Sequence, residues 1–158
     1  MRIWTVVLIV VAVLGAGGTL RMLHSPGEQM CQACQRPVHQ HSLTLGEVDG
    51  KPMRFCCPMC ALTEHKQSGK KVMVKQLTDF VTGEDLTPGS AFLVRGSGVN
   101  PCSDSKAHLS HDKQPLHVHF DRCSPSVLAF SSHAAAAAHA QKHGGQVLRF
   151  TQVEPLYR

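Results

Sequence analysis

The chain has 158 residues, a formal net charge of +5 from 16 Lys and Arg against 11 Asp and Glu, 42% hydrophobic residues and only 5% aromatic ones. With an apolar N-terminal stretch set aside, the remainder suffices for one modest domain or two very small ones, whose limited core would gain from metal or disulfide staples. The basic residues are scattered, with no basic block interleaved with aromatics, which argues against a nucleic-acid partner; seven cysteines and eleven histidines are the stronger bias, because both residue types ligate metals.

From Ile3 to Leu20 the sequence carries no charge, and as a helix it would extend about 27 Å, close to the hydrocarbon thickness of a bilayer. With Arg2 as a minimal positive flank, residues 1–23 read as a transmembrane signal anchor, the alternative being a signal peptide cleaved near Gly15-Ala16-Gly17. Either reading places the remainder outside the cytoplasm, in a periplasm-like compartment.

Ser25-Pro26-Gly27 ends that segment and Thr87-Pro88-Gly89 marks a second boundary, which leaves stretches 28–86 and 88–155. In the first, Ser42 to Val48 and Met53 to Cys57 read as a hairpin around Asp49-Gly50, followed by a helix from about Pro58 to Gln67 and a strand Val72 to Lys75. In the second, Ala91 to Arg95 and Leu116 to Asp121 read as strands around a polar loop. Ser132 then caps a helix through His143, Gly144 and Gly145 end it, and Val147 to Phe150 is a strand. The predicted fold class is therefore α+β: a transmembrane helix followed by two small related β-β-α units. An internal duplication would set Met53 to Pro58 against Val118 to Cys123, and Gly69 to Val74 against Gly144 to Arg149.

Cys31-x-x-Cys34 precedes the hairpin, and Cys57-x-x-Cys60 falls where strand meets helix. Two such knuckles, about twenty residues apart, have the spacing of a four-sulfur metal site, because each short loop points two thiolates at one centre. The overlapping set Cys34, Cys56 and Cys60 is similar to the spacing of the heavy-metal-binding modules called TRASH domains, so Cys56 and Cys57 compete for one ligand position. Cys60 in the first helical turn is expected to have a lowered pKa from the helix dipole, with Met59 and His65 as optional further ligands. Soft ligands of this kind select Cu(I), with zinc the main competitor. A structural zinc knuckle, disulfides, or thiol-disulfide chemistry at Cys57-Pro58-Met59-Cys60 are the other accounts, the last lacking the β-α-β context it needs.

Cys102 and Cys123 form either a disulfide across the loop or part of a second metal site. His117 and His119 alternate on the expected strand and share a face, which suits joint ligation with Cys123 or with His108 and His111 of the loop. His133, His139 and His143 read as exposed helix histidines.

The run Cys31-x-x-Cys34, Phe55-Cys56-Cys57-Pro58-Met59-Cys60, Gln76 to Gly83, Ser90 to Val94, Ala129-Phe130, Ala134 to Ala140 and His143-Gly144-Gly145 resembles the NosL family over roughly residues 31–150. The resemblance implies tandem β-β-α domains and a copper-binding accessory role in the maturation of nitrous oxide reductase. Members of that family carry a methionine-glycine turn before the Ala-Phe strand, whose methionine, with histidine, contributes to Cu(I) binding. Here the stretch reads Arg122-Cys123-Ser124-Pro125-Ser126-Val127-Leu128, so Cys123 and nearby histidines stand in that place. The expected protein is not an enzyme but a membrane-anchored Cu(I) carrier delivering to an acceptor metalloprotein. Its expected ligands are Cys31, Cys34, Cys57 and Cys60 with Cys56 as alternate, and Cys123, His117 and His119 as a second set. A structural zinc module is the runner-up.

Overall fold

The computed structural model describes residues 29–102 and 121–157. The expected membrane span and the loop histidines, His117 and His119 included, lie outside the described residues. Among those described, no helix is long and apolar enough to cross a membrane.

The first sheet starts from a tight hairpin of β1 (Thr44–Val48) and β2 (Lys51–Phe55). Asp49 and Gly50 both take positive φ, 49° and 79°, the backbone that matches a two-residue turn to the right-handed twist of its strands. Burial alternates along β1, as expected of a strand with one face on the core. Gly46 is required there: β3 (Val72–Thr78) crosses so closely that a Cβ would sit 2.8 Å from the Met73 carbonyl oxygen, beside a shift in the β1–β3 register. The short β4 (Asp85–Leu86) completes the order β2-β1-β3-β4, every neighbouring pair antiparallel.

Helix α1 (Pro58–Ser68) follows β2 directly. Cys57 is its extended N-cap, Pro58 supplies a preset φ where no backbone donor is needed, and Gly69 in the left-handed region ends it by donating to the His65 carbonyl. Its first six residues, Pro58 to Thr63, are all buried and its second half is not, so the helix drives its N-terminus, and with it the cysteines, into the core.

The second sheet repeats this order of elements. β5 (Phe92–Arg95) is flanked by β6 (Val127–Phe130) and β7 (Gln146–Arg149) in the order β6-β5-β7, with α2 (His133–His143) between β6 and β7. The Ser132 side chain accepts from the Ala135 N–H at the N-cap, and the Gly144 N–H donates to the Ala140 carbonyl at the other end. In both halves the first strand of the hairpin is the central one, and an eleven-residue helix leads to the third.

Two expectations are corrected. β5 pairs with Val127–Phe130, a strand the sequence reading did not expect, while the expected strand Leu116 to Asp121 lies outside the described residues except for Asp121, which is not in a strand. The register of the two halves therefore shifts: Phe55-Cys56-Cys57-Pro58 corresponds to Phe130-Ser131-Ser132-His133, since in each case the strand ends on the phenylalanine and the fourth residue opens the helix. Likewise the last strand stops at Arg149. Phe150 opens α3 (Phe150–Val153), which runs into a 3-10 turn to Tyr157, and Phe150, Val153 and Tyr157 are buried in the first core.

Asp79 stitches the sheets together. It makes an isolated parallel bridge with Ala129, and its carboxylate accepts from the backbone N–H groups of Val81, Thr82 and Ser131 at 2.6–3.0 Å. One core, which contains six cysteines with Phe55, Met59, Leu77, Leu93 and Val127, runs beneath the junction; a smaller one of Val94, Leu128, Phe130 and Ala136 lies under α2.

Candidate metal centre

All seven cysteines converge on the junction between the two sheets, and none is in a disulfide. Cys31 and Cys34 sit on a tight turn in which the Cys31 N–H donates to the Arg36 carbonyl and the Gln35 N–H to the Cys31 carbonyl, with Gln35 in the left-handed region. The Gln32 N–H and side-chain oxygen pair with the Arg54 backbone, which ties this turn to the end of β2, where the chain continues into Cys56 and Cys57. Cys60 is in the first turn of α1. Cys102 and Cys123 arrive from the two ends of the loop between β5 and β6. Asn100 joins them by accepting from the Cys102 N–H and donating to the Cys123 carbonyl.

The sulfurs form two groups of four. Cys31, Cys34, Cys56 and Cys60 are one; Cys56, Cys57, Cys102 and Cys123 are the other; within each group the Sγ atoms lie within 4.8 Å of one another. Close approaches are Cys31–Cys60 at 3.6 Å, Cys34–Cys56 at 3.5 Å, Cys56–Cys123 at 3.5 Å and Cys56–Cys57 at 3.9 Å. Four thiolates around a tetrahedral zinc ion at a metal–sulfur distance of about 2.3 Å are separated by about 3.8 Å, the edge of that tetrahedron. The donor set thus fits a soft ion in both spacing and chemistry.

Two arginines clasp the centre from opposite directions. Arg36, next to the first turn, donates to the Asp121 carboxylate at 2.7 Å and to the Cys102 carbonyl at 2.9 Å. Arg122, next to Cys123, donates to the Ala33 carbonyl at 2.9 Å and to the Glu64 carboxylate of α1 at 2.8 Å. Six cysteines are buried, Cys31, Cys56, Cys60 and Cys123 at 0% exposure. Cys34 alone is half-buried, in a surface depression lined also by Ala33, Arg36 and Arg122.

The thiols influence one another strongly. Cys31 is driven far below the usual thiol range by hydrogen bonds from Cys56 and then Cys60, and Cys123 likewise by Cys102 and then Cys56. Their neighbours move the other way: Cys56 and Cys57 are pushed up, first through Cys102 and then Cys123, and Cys34 through burial. A cation entering either group would displace protons from its thiols. Cys60 corrects the expectation of a lowered pKa. Its thiol is pushed up, first by the contact with Cys123 and then by that with Cys31.

Of the residues singled out by sequence, Cys31, Cys34 and Cys60 come together as expected, but the fourth member of their group is Cys56. Cys57 instead faces Cys102 and Cys123. Cys102, read as a disulfide or metal residue, belongs to the second group as a free thiol. His65 is occupied elsewhere, its Nδ1 lying 2.6 Å from the Lys70 carbonyl, and His139 packs on Phe80 and Phe130 with its Nε2 against Ser97 Oγ. The arginine clasps had no sequence signal, since Arg36 and Asp121 are 85 residues apart. Thiol-disulfide exchange requires an accessible thiolate, and Cys57 and Cys60 are both buried.

Fold and site together define a small α+β protein built around a largely buried cluster of seven free cysteines. No family model matches the chain, and no curated protein matches it. Among solved structures its fold is similar to the crystal structure of the copper chaperone NosL from Shewanella denitrificans, with a TM-score of 0.51 and 16% identity over 79% of this chain and 89% of that one. The resemblance read from sequence motifs thus has a counterpart in the fold, while function rests on the site.

Proposed function

We propose that this protein holds Cu(I) through its buried cysteines and hands it to an acceptor metalloprotein, without catalysing a reaction. The observation that carries the reading is the convergence of seven reduced cysteines, drawn from four separate stretches of chain, into contact with one another. Burying cysteine alone needs no such convergence, because a free thiol packs as an ordinary small apolar group. The likeness in fold to a copper chaperone supports copper over zinc, and thiolates are the ligands that favour Cu(I).

The apolar run from Ile3 to Leu20 supports a membrane anchor with the remainder on the extracytoplasmic side. The common order of elements in the two sheets supports two related units, 28–86 and 88–155, of which only the first kept cysteines around its helix N-terminus: Cys56, Cys57 and Cys60 correspond to Ser131, Ser132 and Ala135. A structural zinc site is the second reading, favoured by the position of six cysteines in the core.

One experiment separates the two. The full chain, reduced under anaerobic conditions, is offered Cu(I) in competition with a Cu(I)-specific chelator and, separately, Zn(II) with a zinc chelator. Retention of Cu(I), with a fold that persists when the metal is withdrawn, is expected. Failure to hold Cu(I), together with unfolding on removal of zinc, overturns the carrier reading.

A further inference from the structure

Resting on that reading, and going beyond it in the number of metals and the way they are joined, we infer that the seven cysteines build one two-metal cluster in which the Cys56 thiolate bridges the ions. The two four-sulfur groups are not separate sites. They share Cys56 and between them use every cysteine of the chain.

The geometry requires the sharing. Cys56 Sγ has Cys34 at 3.5 Å on one side and Cys123 at 3.5 Å on the other, with Cys57 at 3.9 Å. Each distance is close to the sulfur–sulfur edge of about 3.8 Å around a single ion. A thiol has one proton to give, whereas a thiolate has lone pairs enough for two cations. Binding in the first group, with Cys31, Cys34 and Cys60, releases the Cys56 proton and leaves a thiolate that already faces Cys57, Cys102 and Cys123. Each ion taken up displaces thiol protons to solvent and no electron is transferred, so the ions stay Cu(I) and the cysteines stay reduced.

Charge argues the same way. A buried thiolate set is costly unless paired, and the two nearby arginines already engage the Asp121 and Glu64 carboxylates. Thiols that ligate no ion stay protonated, so any thiolate formed in the second group is paired by the cation that displaces its proton. The position is also singular in the chain. The equivalent residue of the other half is Ser131, whose backbone N–H is held by Asp79, so the bridge exists only where the first unit's helix N-terminus meets the loop carrying Cys102 and Cys123.

The test is the Cu(I) stoichiometry of the reduced full chain at saturation against a chelator, read by native mass spectrometry, with X-ray absorption for a metal–metal scattering shell. Two Cu(I) per chain with that shell are expected. Cys102→Ser, which touches the second group only, should hold one Cu(I) and lose the shell; Cys56→Ser should hold no more than one, its fold checked by circular dichroism. One Cu(I) in the unaltered chain, three or more, or two without a metal–metal shell would overturn the bridged pair yet leave Cu(I) carriage standing. No Cu(I) at all would overturn both.

Discussion

The Sγ atoms of Cys56 and Cys123 lie 3.5 Å apart although 67 residues separate them in sequence and each belongs to a different half of the fold. Cys123 occupies the stretch before β6, at the junction of the two sheets, and is fully buried. Replacing it with alanine should therefore act on both stability and metal. The reduced, metal-free protein is expected to lose on the order of 1 kcal/mol, from lost packing and a lost thiol hydrogen bond. Cu(I) retention against a chelator should weaken by at least about tenfold. A chelator titration with Cu(I) unchanged by Cys123→Ala would reduce Cys123 to core filler.

Cys34 is the natural point of exchange, being the one half-buried cysteine and opening onto the depression beside Arg36 and Arg122. When the reduced metal-free protein is treated with less than one equivalent of a maleimide, peptide mapping should find the label on Cys34 ahead of the other six. Burial pushes its thiol pKa up, so the reaction should accelerate with pH through the alkaline range, and loading with Cu(I) should suppress it. Label distributed evenly over the seven would mean that the core opens freely, contrary to the burial seen.

How much of this could be read from the chain follows the range of each interaction. The hairpin turn at Asp49-Gly50, the helix between Cys57-Pro58 and Gly69, and the helix between Ser132 and Gly144 were all legible, because their caps and turns are chemistry between near neighbours. The β6 strand and the C-terminal helix were not. Leu116 to Asp121 alternates apolar and polar residues and Val127 to Phe130 is continuously apolar, both patterns a strand can have, and the choice of partner for β5 is made by long-range pairing. Phe150 follows Val147-Leu148-Arg149 as a strand residue would, yet it opens a helix, whose first turn is capped by the Gln152 side-chain oxygen accepting from the Arg149 N–H. The metal-binding character of Cys31, Cys34 and Cys60 came from their spacing. The overlapping TRASH-like spacing of Cys34, Cys56 and Cys60 also pointed to Cys56, but spacing left it in competition with Cys57, and the structure decides: Cys57, the extended N-cap, groups with Cys102 and Cys123 instead.

Arg122 joins the Cys123 loop to the first half through the Ala33 carbonyl and Glu64. Both partners of the ion pair are largely shielded from solvent, 28% and 14% exposed. Arg122→Met keeps most of the side-chain packing and removes the donors, so it should cost about 1–3 kcal/mol in denaturant unfolding of the metal-free protein and should raise maleimide reactivity at Cys34 by freeing the adjacent turn. Glu64→Gln, which keeps an acceptor for Arg122, should cost less. Equal effects of the two variants would place the stabilisation in charge alone.

Asp79 gives the fold a defined acid sensitivity. Burial by itself would raise its carboxyl, but the hydrogen bonds from Ser131, Thr82 and Val81 outweigh it and hold the pKa below the ordinary carboxylate value. The native carboxylate thus binds fewer protons than the unfolded one. Its stabilisation is full above the unfolded value of about 3.9 and is lost as pH falls through the lower native value. Asp79→Asn keeps one acceptor oxygen but turns an NH2 group toward backbone N–H donors, so it should cost about 1–3 kcal/mol at neutral pH. Urea unfolding of the two proteins from pH 6 downward should then converge, because acid removes from the parent the interaction that the variant already lacks. A stability gap between them that stays constant down to pH 2 would show that the Asp79 carboxylate is not what couples the two sheets.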